Sequence, residues 1–362
     1  MKSTITHSKR TMGAALLATA LVTPLAALSV PAAQAVDAKT ATANSAAVSN
    51  ASLTWKISDC AFTACGSLTQ AQSVSGNVTK AADGFKFTGG TGTIDQLTGA
   101  LSIAYTGSAT IGNTNQGGFS VTLTDPVITV DAQGSGSLAA DASFKTSPTA
   151  TPTTANDVIV VSLPKVTPST SFIVTPPWDG VGVPAVPAPV DGKQFAPSFM
   201  SVVPDALKGF FWATGTTGSN LTKAPSPVTV QYERVWKPTL IVRPMAVKNA
   251  KTVTTLNVVG VGFDPSKANP AVQGLYLAFG PNAATTPNGY KAIGGYGASN
   301  YVSSGPDALG RFVSSLKVTG LYKTESGTVV NGAKQVVGVN SWAAHTHAIT
   351  NWDAFTQVKF AK

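Results

Sequence analysis

Histidine, cysteine and charge are all scarce in this chain. Among 362 residues there are three His and two Cys, and charged residues make up 11%. No His lies between residues 52 and 233, so a His-dependent catalytic triad is excluded there. Only two Glu occur, Glu233 and Glu325, leaving little beyond scattered Asp for the paired carboxylates of glycosidic chemistry. A Ser-centred nucleophile elbow, a His-Glu metalloprotease signature, a phosphate-binding glycine loop and a zinc cysteine set are all missing. A non-enzymatic protein is expected. Past the N-terminal region no window reaches the roughly 20 apolar residues of a spanning helix, so no membrane span is expected. Nucleic acid is not an expected partner.

The first 35 residues read as a signal peptide. Lys2, Lys9 and Arg10 precede an apolar stretch from Met12 to Val30, and Ala33-Gln34-Ala35 supplies small residues before a cut after Ala35. Thr19, Thr23, Pro24 and Ser29 make the stretch a poor anchor. Export is therefore expected, to the extracellular side or the cell envelope. The last residues, Val358 to Lys362, carry no apolar tail or lipidation Cys, which predicts release or non-covalent retention.

In an oxidising exterior, Cys60 and Cys65 most simply close a small disulfide loop. A reactive thiol or a soft metal site would need partners that the neighbouring sequence does not offer.

Charge is unevenly divided. The formal +9 contains three signal-peptide charges, and from Trp236 to Lys362 there are 12 Lys plus Arg against 4 Asp plus Glu, a net +8. Val36 to Val235 holds 10 against 12, a net −2. The positive C-terminal part has the sign needed to attract anionic cell-wall polymers, although ordinary solvated Lys explains the same count.

What is abundant favours an all-β fold: 43% hydrophobic residues with 34 Gly and 23 Pro suit short strands and tight turns. Residues 36–51 are small and polar and read as a flexible leader, with order beginning near Leu53 and Trp55. An antiparallel β domain is expected over 52–233. Phe85 and Phe87 flank Lys86, and Leu101, Ile103 and Tyr105 share a face. Val121, Leu123 and Val127 to Val130 give further strands. Gly89-Gly90, Gly99, Gly117-Gly118, Asp125-Pro126 and Gly134 to Gly136 are turns or bulges between them. Thr146 to Ala155 and Pro176 to Pro197 are surface excursions or edges, since proline cannot donate to a ladder. The strand pattern resumes at Phe199 and runs through Trp212 to Tyr232. Residues 236–362 contain about six strands at the spacing of an immunoglobulin-like β-sandwich.

Candidate ligand contacts are aromatic. Phe210, Phe211 and Trp212 form a cluster in which strand alternation sets one member opposite the other two. Trp178 sits in the proline-rich excursion. Exposed, they would offer a flat apolar surface to a porphyrin, glycan or protein; core packing is the alternative. Tyr105 reads as a core tyrosine with its hydroxyl at the rim. His345 and His347, one residue apart, would face the same way on a strand, as metal ligands need, but only Asp353 is near as a third ligand. Solvent-facing or turn histidines are the other reading.

Several segments together resemble the HtaA domain, a haem-binding module of surface and secreted proteins of high-GC Gram-positive bacteria. They are Leu53-Thr54-Trp55, then Phe85-Lys86-Phe87-Thr88-Gly89-Gly90-Thr91-Gly92 with Asp95, then Leu123-Thr124-Asp125-Pro126, and Phe210-Phe211-Trp212-Ala213-Thr214-Gly215. Val259 to Asp264, Leu275 to Gly280 and Trp342-Ala343-Ala344-His345 look like the immunoglobulin-like domain that often follows. The resemblance implies haem held through a Tyr shortly after the first Trp, with a His from a later strand supporting it. Here those positions fall at or next to Ala64 and within Asn113-Thr114-Asn115, none a usual haem-iron ligand. Tyr105 is the phenol left as a substitute. Two readings follow: an envelope binding, structural or adhesive protein on an HtaA scaffold without its ligands, or a haem-binding or transport protein with a non-standard site.

Overall fold

A computed structural model describes residues 44–113, 118–178, 193–213, 218–268, 274–283, 295–344 and 352–361. The described part belongs to one compact unit, Ala38–Lys362. Its strands are almost all antiparallel, and their buried side chains gather into two hydrophobic clusters, one from Ala46 to Tyr232 and one from Leu240 to Phe360.

The first cluster lies on an eleven-stranded sheet. Its strands are β1 (Ser45–Trp55), β2 (Ser73–Gly76), β3 (Val78–Ala81), β4 (Gly84–Asp95), β5 (Leu101–Ala104), β6 (Gly107–Gly112) and β7 (Ser120–Val130). They continue with β8 (Gly136–Lys145), β9 (Thr153–Leu163) and β10 (Ser171–Val174), while β11 (Lys193–Gln194) and β12 (Trp212–Ala213) form a separate two-stranded ribbon before β13 (Val228–Arg234). β10, β13, β1, β4, β5, β7, β8 and β9 run side by side. β6 pairs with the other half of β7, β2 with β6, and β3 with β4.

Alternation explains most of these strands. Leu101 and Ile103 are buried while Ser102 and Ala104 are exposed. In β7 the buried set switches phase, from Val121 and Leu123 to Ile128 and Val130. The cause is a bulge at Asp125-Pro126, where Asp125 has φ 50° and the register shifts between Thr124 and Val127. Proline is tolerated there because a bulge needs no ladder N–H. Its carbonyl accepts from Tyr105 N–H at 3.0 Å, and the Asp125 carboxylate accepts from Gly107 N–H at 2.7 Å. Asp125-Pro126 therefore bends one strand and does not separate two. Gly90 likewise sits inside β4, where a Cβ would stand 2.5 Å from the Tyr105 ring.

Two expectations fail here. Residues 36–51 are not all leader: β1 begins at Ser45 and pairs with both β4 and β13, burying Ala46, Val48 and Ala51. Small residues look like linker in composition, yet a strand flanked on both sides has little room for larger ones. The run from Phe199 is not strand throughout either. It begins as short helices, Pro197–Val202 and Asp205–Lys208, the first with proline in its opening turn, and is extended only at Trp212–Ala213 and, as expected for Val228 to Tyr232, in β13. Phe199 belongs to the core, meeting Phe144, Phe195 and Phe211 at centroid distances of 5.8, 6.0 and 5.1 Å.

The second cluster draws on two sheets. β14 (Thr239–Arg243), β16 (Thr254–Val261) and β19 (Phe312–Val318) make one, in the order β14-β16-β19. The other has the order β15-β23-β22-β17-β18, with β15 (Ala246–Val247), β17 (Leu275–Gly280), β18 (Ala298–Val302), β22 (Val337–Ala343) and β23 (Ala354–Phe360). β15 runs parallel to β23. A small ribbon, β20 (Leu321–Lys323) with β21 (Val329–Asn331), completes it. The strands expected over Leu240 to Val242, Val253 to Val259, Leu275 to Phe279, Phe312 to Val318, Val336 to Val339 and Val358 to Phe360 fall, to within a residue, inside β14, β16, β17, β19, β22 and β23. Leu256, Val258 and Leu316 from the first sheet share one core with Leu277, Phe279 and Val339 from the second.

Candidate functional site

After β1 the chain turns sharply. Ile57, buried and β-branched, has φ 70°, a conformation such residues seldom adopt. It is held there by a bond from Ser226 N–H to its carbonyl at 2.9 Å, next to the Trp55 indole N–H donating to the Ser226 carbonyl at 3.1 Å. A single π-helical turn follows, Cys60–Ala64, closed by the Cys60–Cys65 disulfide with a Cα–Cα distance of 4.5 Å. Gln72 anchors this turn by donating to the carbonyls of Ala61 and Phe62 at 2.7 and 3.0 Å, and Lys80 in turn donates to Gln72. Phe62 packs edge-on against Phe85, 5.3 Å between centroids.

So short a closed loop removes little entropy from the unfolded chain. Replacing both cysteines by alanine is expected to cost about 2 kcal/mol in urea unfolding. An unchanged midpoint would show the bond to be dispensable.

The helical turn Gly66–Thr69 then lies against the end of β6, through the Thr69–Gly112 bridge and a bond from Ala71 N–H to the Gly112 carbonyl at 3.1 Å. This brings the disulfide turn and Asn113 to one end of the sheet. Ala64 is exposed there and Asn113 is buried, its N–H bonded to the Phe119 carbonyl at 3.0 Å. Thr114 and Asn115 lie outside the described residues.

Neither Ala64 nor Asn113 carries a usual haem-iron ligand. A methyl group at Ala64 has no atom to give iron, and Asn113 is a buried amide rather than an imidazole. The phenols are no better placed. Tyr105 is 2% exposed, lies on Gly90, and its hydroxyl is buried without a hydrogen-bond partner, so the expected rim position is not found. The flat face of a ring needs a cover without a Cβ, and Gly90 supplies it. Burial, reinforced by Tyr232, pushes the Tyr105 phenol well above its ordinary range, which disfavours the phenolate that iron would take.

The aromatic candidates separate by depth. Phe211 is buried, edge-on to Phe195 at 5.3 Å, whereas Phe210 and Trp212 are half-buried against the core. A turn after Asp205–Lys208 sets this arrangement, in place of strand alternation. Phe210 stacks on Phe119, 5.0 Å between centroids and 28° between planes. Phe119 went unnoticed in the sequence; its only signal is one aromatic after a Gly pair. Trp212 is cross-strand partner to Gln194, and the indole N–H of Trp212 and the side-chain carbonyl of Gln194 are both buried without a partner. Trp178 is half-buried, its N–H also unpartnered. His345 and His347 fall outside the described residues. Among the described residues no group of three or more His, Cys, Asp or Glu could hold a metal ion.

Comparison with known proteins shows a likeness over part of the chain. No curated protein matches the chain. Among solved structures, the C-terminal domain of HtaA from Corynebacterium glutamicum aligns with 16% identity over 52% of this chain and 99% of that one, at a TM-score of 0.36. The N-terminal domain of the same protein aligns with 14% identity over 51% and 97%, at 0.32. The model of the HtaA family matches residues 50–172, from within β1 to within β10, a segment that contains the disulfide turn, Tyr105, Asn113 and Phe119.

Proposed function

We propose that this is an exported, non-enzymatic binding or structural protein of the cell envelope, built on an HtaA-type domain that has lost its iron ligands. The reading is supported by two places near the end of the sheet, exposed Ala64 or its neighbour beside the disulfide and the stretch Asn113-Thr114-Asn115, of which Asn113 is described and buried, where the family resemblance implies Tyr and His. On this reading the first domain extends to residue 233 and starts at β1. Residues 236–362 form a second, immunoglobulin-like domain, a reading supported by two facing sheets in the orders β14-β16-β19 and β15-β23-β22-β17-β18.

A second reading keeps the porphyrin and drops the iron bond. Half-buried Phe210, stacked on buried Phe119, with Trp212 two residues on, favours it, since a porphyrin face buried at about 25 cal/mol per Å² is held by apolar contact alone. Titration with haemin and with metal-free protoporphyrin, followed by absorbance and Trp quenching, tests both. Weak and equal binding of the two, lost in Phe210→Ala, is expected for the apolar site, and no binding for a purely structural role. A sub-micromolar complex that needs iron would overturn the loss of ligands.

The net +8 of residues 236–362 supports attachment to anionic wall polymers. Retention on purified walls is expected to fall as salt rises, because exposed charges are screened over about 10 Å at 0.1 M. Salt-independent retention would remove this role.

A further inference from the structure

The two hydrophobic clusters meet through a reciprocal pair of arginines. Arg234, the last residue of β13, is 7% exposed; its guanidinium lies 3.4 Å from the centre of the Trp236 ring, and its Nη2 donates to the Leu309 carbonyl at 2.7 Å. Arg311, just before β19, sends Nη1 the opposite way, to the Leu97 carbonyl in the β4–β5 turn at 2.9 Å. Each side of the molecule thus places an arginine on a backbone carbonyl of the other. Asp307 prepares the second arm: its Oδ2 accepts from Arg311 Nε at 3.0 Å, and its Oδ1 from the N–H groups of Leu309 and Arg311, both at 2.9 Å. The turn that presents the Leu309 carbonyl and the guanidinium that crosses to Leu97 are therefore held by one carboxylate.

The surrounding backbones touch closely enough to need glycine. A Cβ on Gly262, whose φ is 76°, would stand 2.6 Å from Gln96 Oε1 and 2.2 Å from the Lys237 carbonyl. One on Gly310, at φ 74°, would meet Trp236 at 2.4 Å. The buried Leu309 side chain reaches toward Gly99, and Val235 N–H is bonded to the Ala47 carbonyl at 3.1 Å. The short connection from Val235 to Pro238 is thus pinned on both sides.

We propose that this reciprocal clasp locks the two β units into one rigid body, so that the connection at Val235–Pro238 is not a hinge. Arg234 is a costly choice for packing alone, because its Nε and Nη1 are buried without partners. Burial pulls its basicity down to about 10, against the pull of Tyr232, Asp264 and Asp307. A planar fork stacked on Trp236 and bonded across the joint sets direction as well as contact, which an aliphatic side chain of equal volume would not.

NMR relaxation of the full chain tests the clasp directly in the wild-type protein. Equal rotational correlation times for residues 45–233 and 239–360 are expected, with a single thermal transition. Arg311→Gln, at a partly exposed position, should fold and should shorten the two correlation times unequally; Arg234→Gln should do so more strongly. Independent tumbling in the wild type, or full coupling retained in Arg311→Gln with Arg234→Gln combined, would overturn the proposal. Should the combined variant fail to fold, the wild-type relaxation and Arg311→Gln alone decide it.

Discussion

Raising the pH through about 10 is expected to destabilise the protein steeply, because its buried phenols must then either ionise in the core or hold protons that the unfolded chain has released. Tyr105 and Tyr232 both carry buried hydroxyls without partners. Burial raises Tyr105 well above its ordinary value, with the neighbouring Tyr232 adding to it, and raises Tyr232 to about 12 despite the opposing pull of Arg234. Tyr296, and Tyr322 packed against the other cluster, are also raised to about 12, chiefly by burial. Folded-state values above the unfolded one mean that the folded protein binds more protons at high pH. The stabilisation is complete below about pH 10 and is lost as pH climbs towards the folded values. At about 1.4 kcal/mol per phenol per pH unit, Tyr105 and Tyr232 alone account for on the order of 5 kcal/mol over two units, comparable with the stability of a whole domain. Urea unfolding at stepped pH, with phenolate absorbance recorded alongside, measures it. Tyr105→Phe should flatten the decline while leaving stability at neutral pH unchanged or slightly raised, since it removes an unpaired buried hydroxyl. An unaltered slope in that variant would show that Tyr105 ionises freely in the fold.

Phe199→Ala should lose about 3–5 kcal/mol, while Phe210→Ala should lose far less. Phe199 is 0% exposed and meets three other rings; its removal leaves a cavity among Phe144, Phe195 and Phe211 that a sheet packed on short helices cannot close. Phe210 is only half-buried and rests on Phe119. Thermal or urea unfolding of the two variants separates a core aromatic from one available to a ligand. Equal losses would place Phe210 in the core and remove the case for an apolar porphyrin contact there.

Much of the fold was legible in the chain because strand alternation is a local signal. Leu101, Ile103, Val121 and Leu123 declare a buried face without reference to anything distant, and the six main segments of 236–362 do the same. The Cys60–Cys65 bond was also legible, since six residues hold the partners near each other whatever the rest does. β1 was half missed, because Ala46, Val48 and Ala51 become core residues only when β4 and β13 arrive on either side. Local composition carries no trace of those distant partners.

The site divides in the same way. By itself the sequence determined that Ala64 and Asn113-Thr114-Asn115 stand at the places to which the family resemblance points, that the positive charge lies beyond residue 236, and that aromatics remain near 210. Only the tertiary structure decided which of those aromatics is reachable: two short helices turn Phe199 and Phe211 inward and leave Phe210 stacked on Phe119, a residue 91 positions away. It also decided that Tyr105 is sealed under Gly90, and that Arg234 and Arg311 reach across to carbonyls 75 and 214 residues distant. Periodicity is written into neighbouring residues, whereas depth and long-range pairing depend on which surfaces the folded chain brings together, and that is settled by packing.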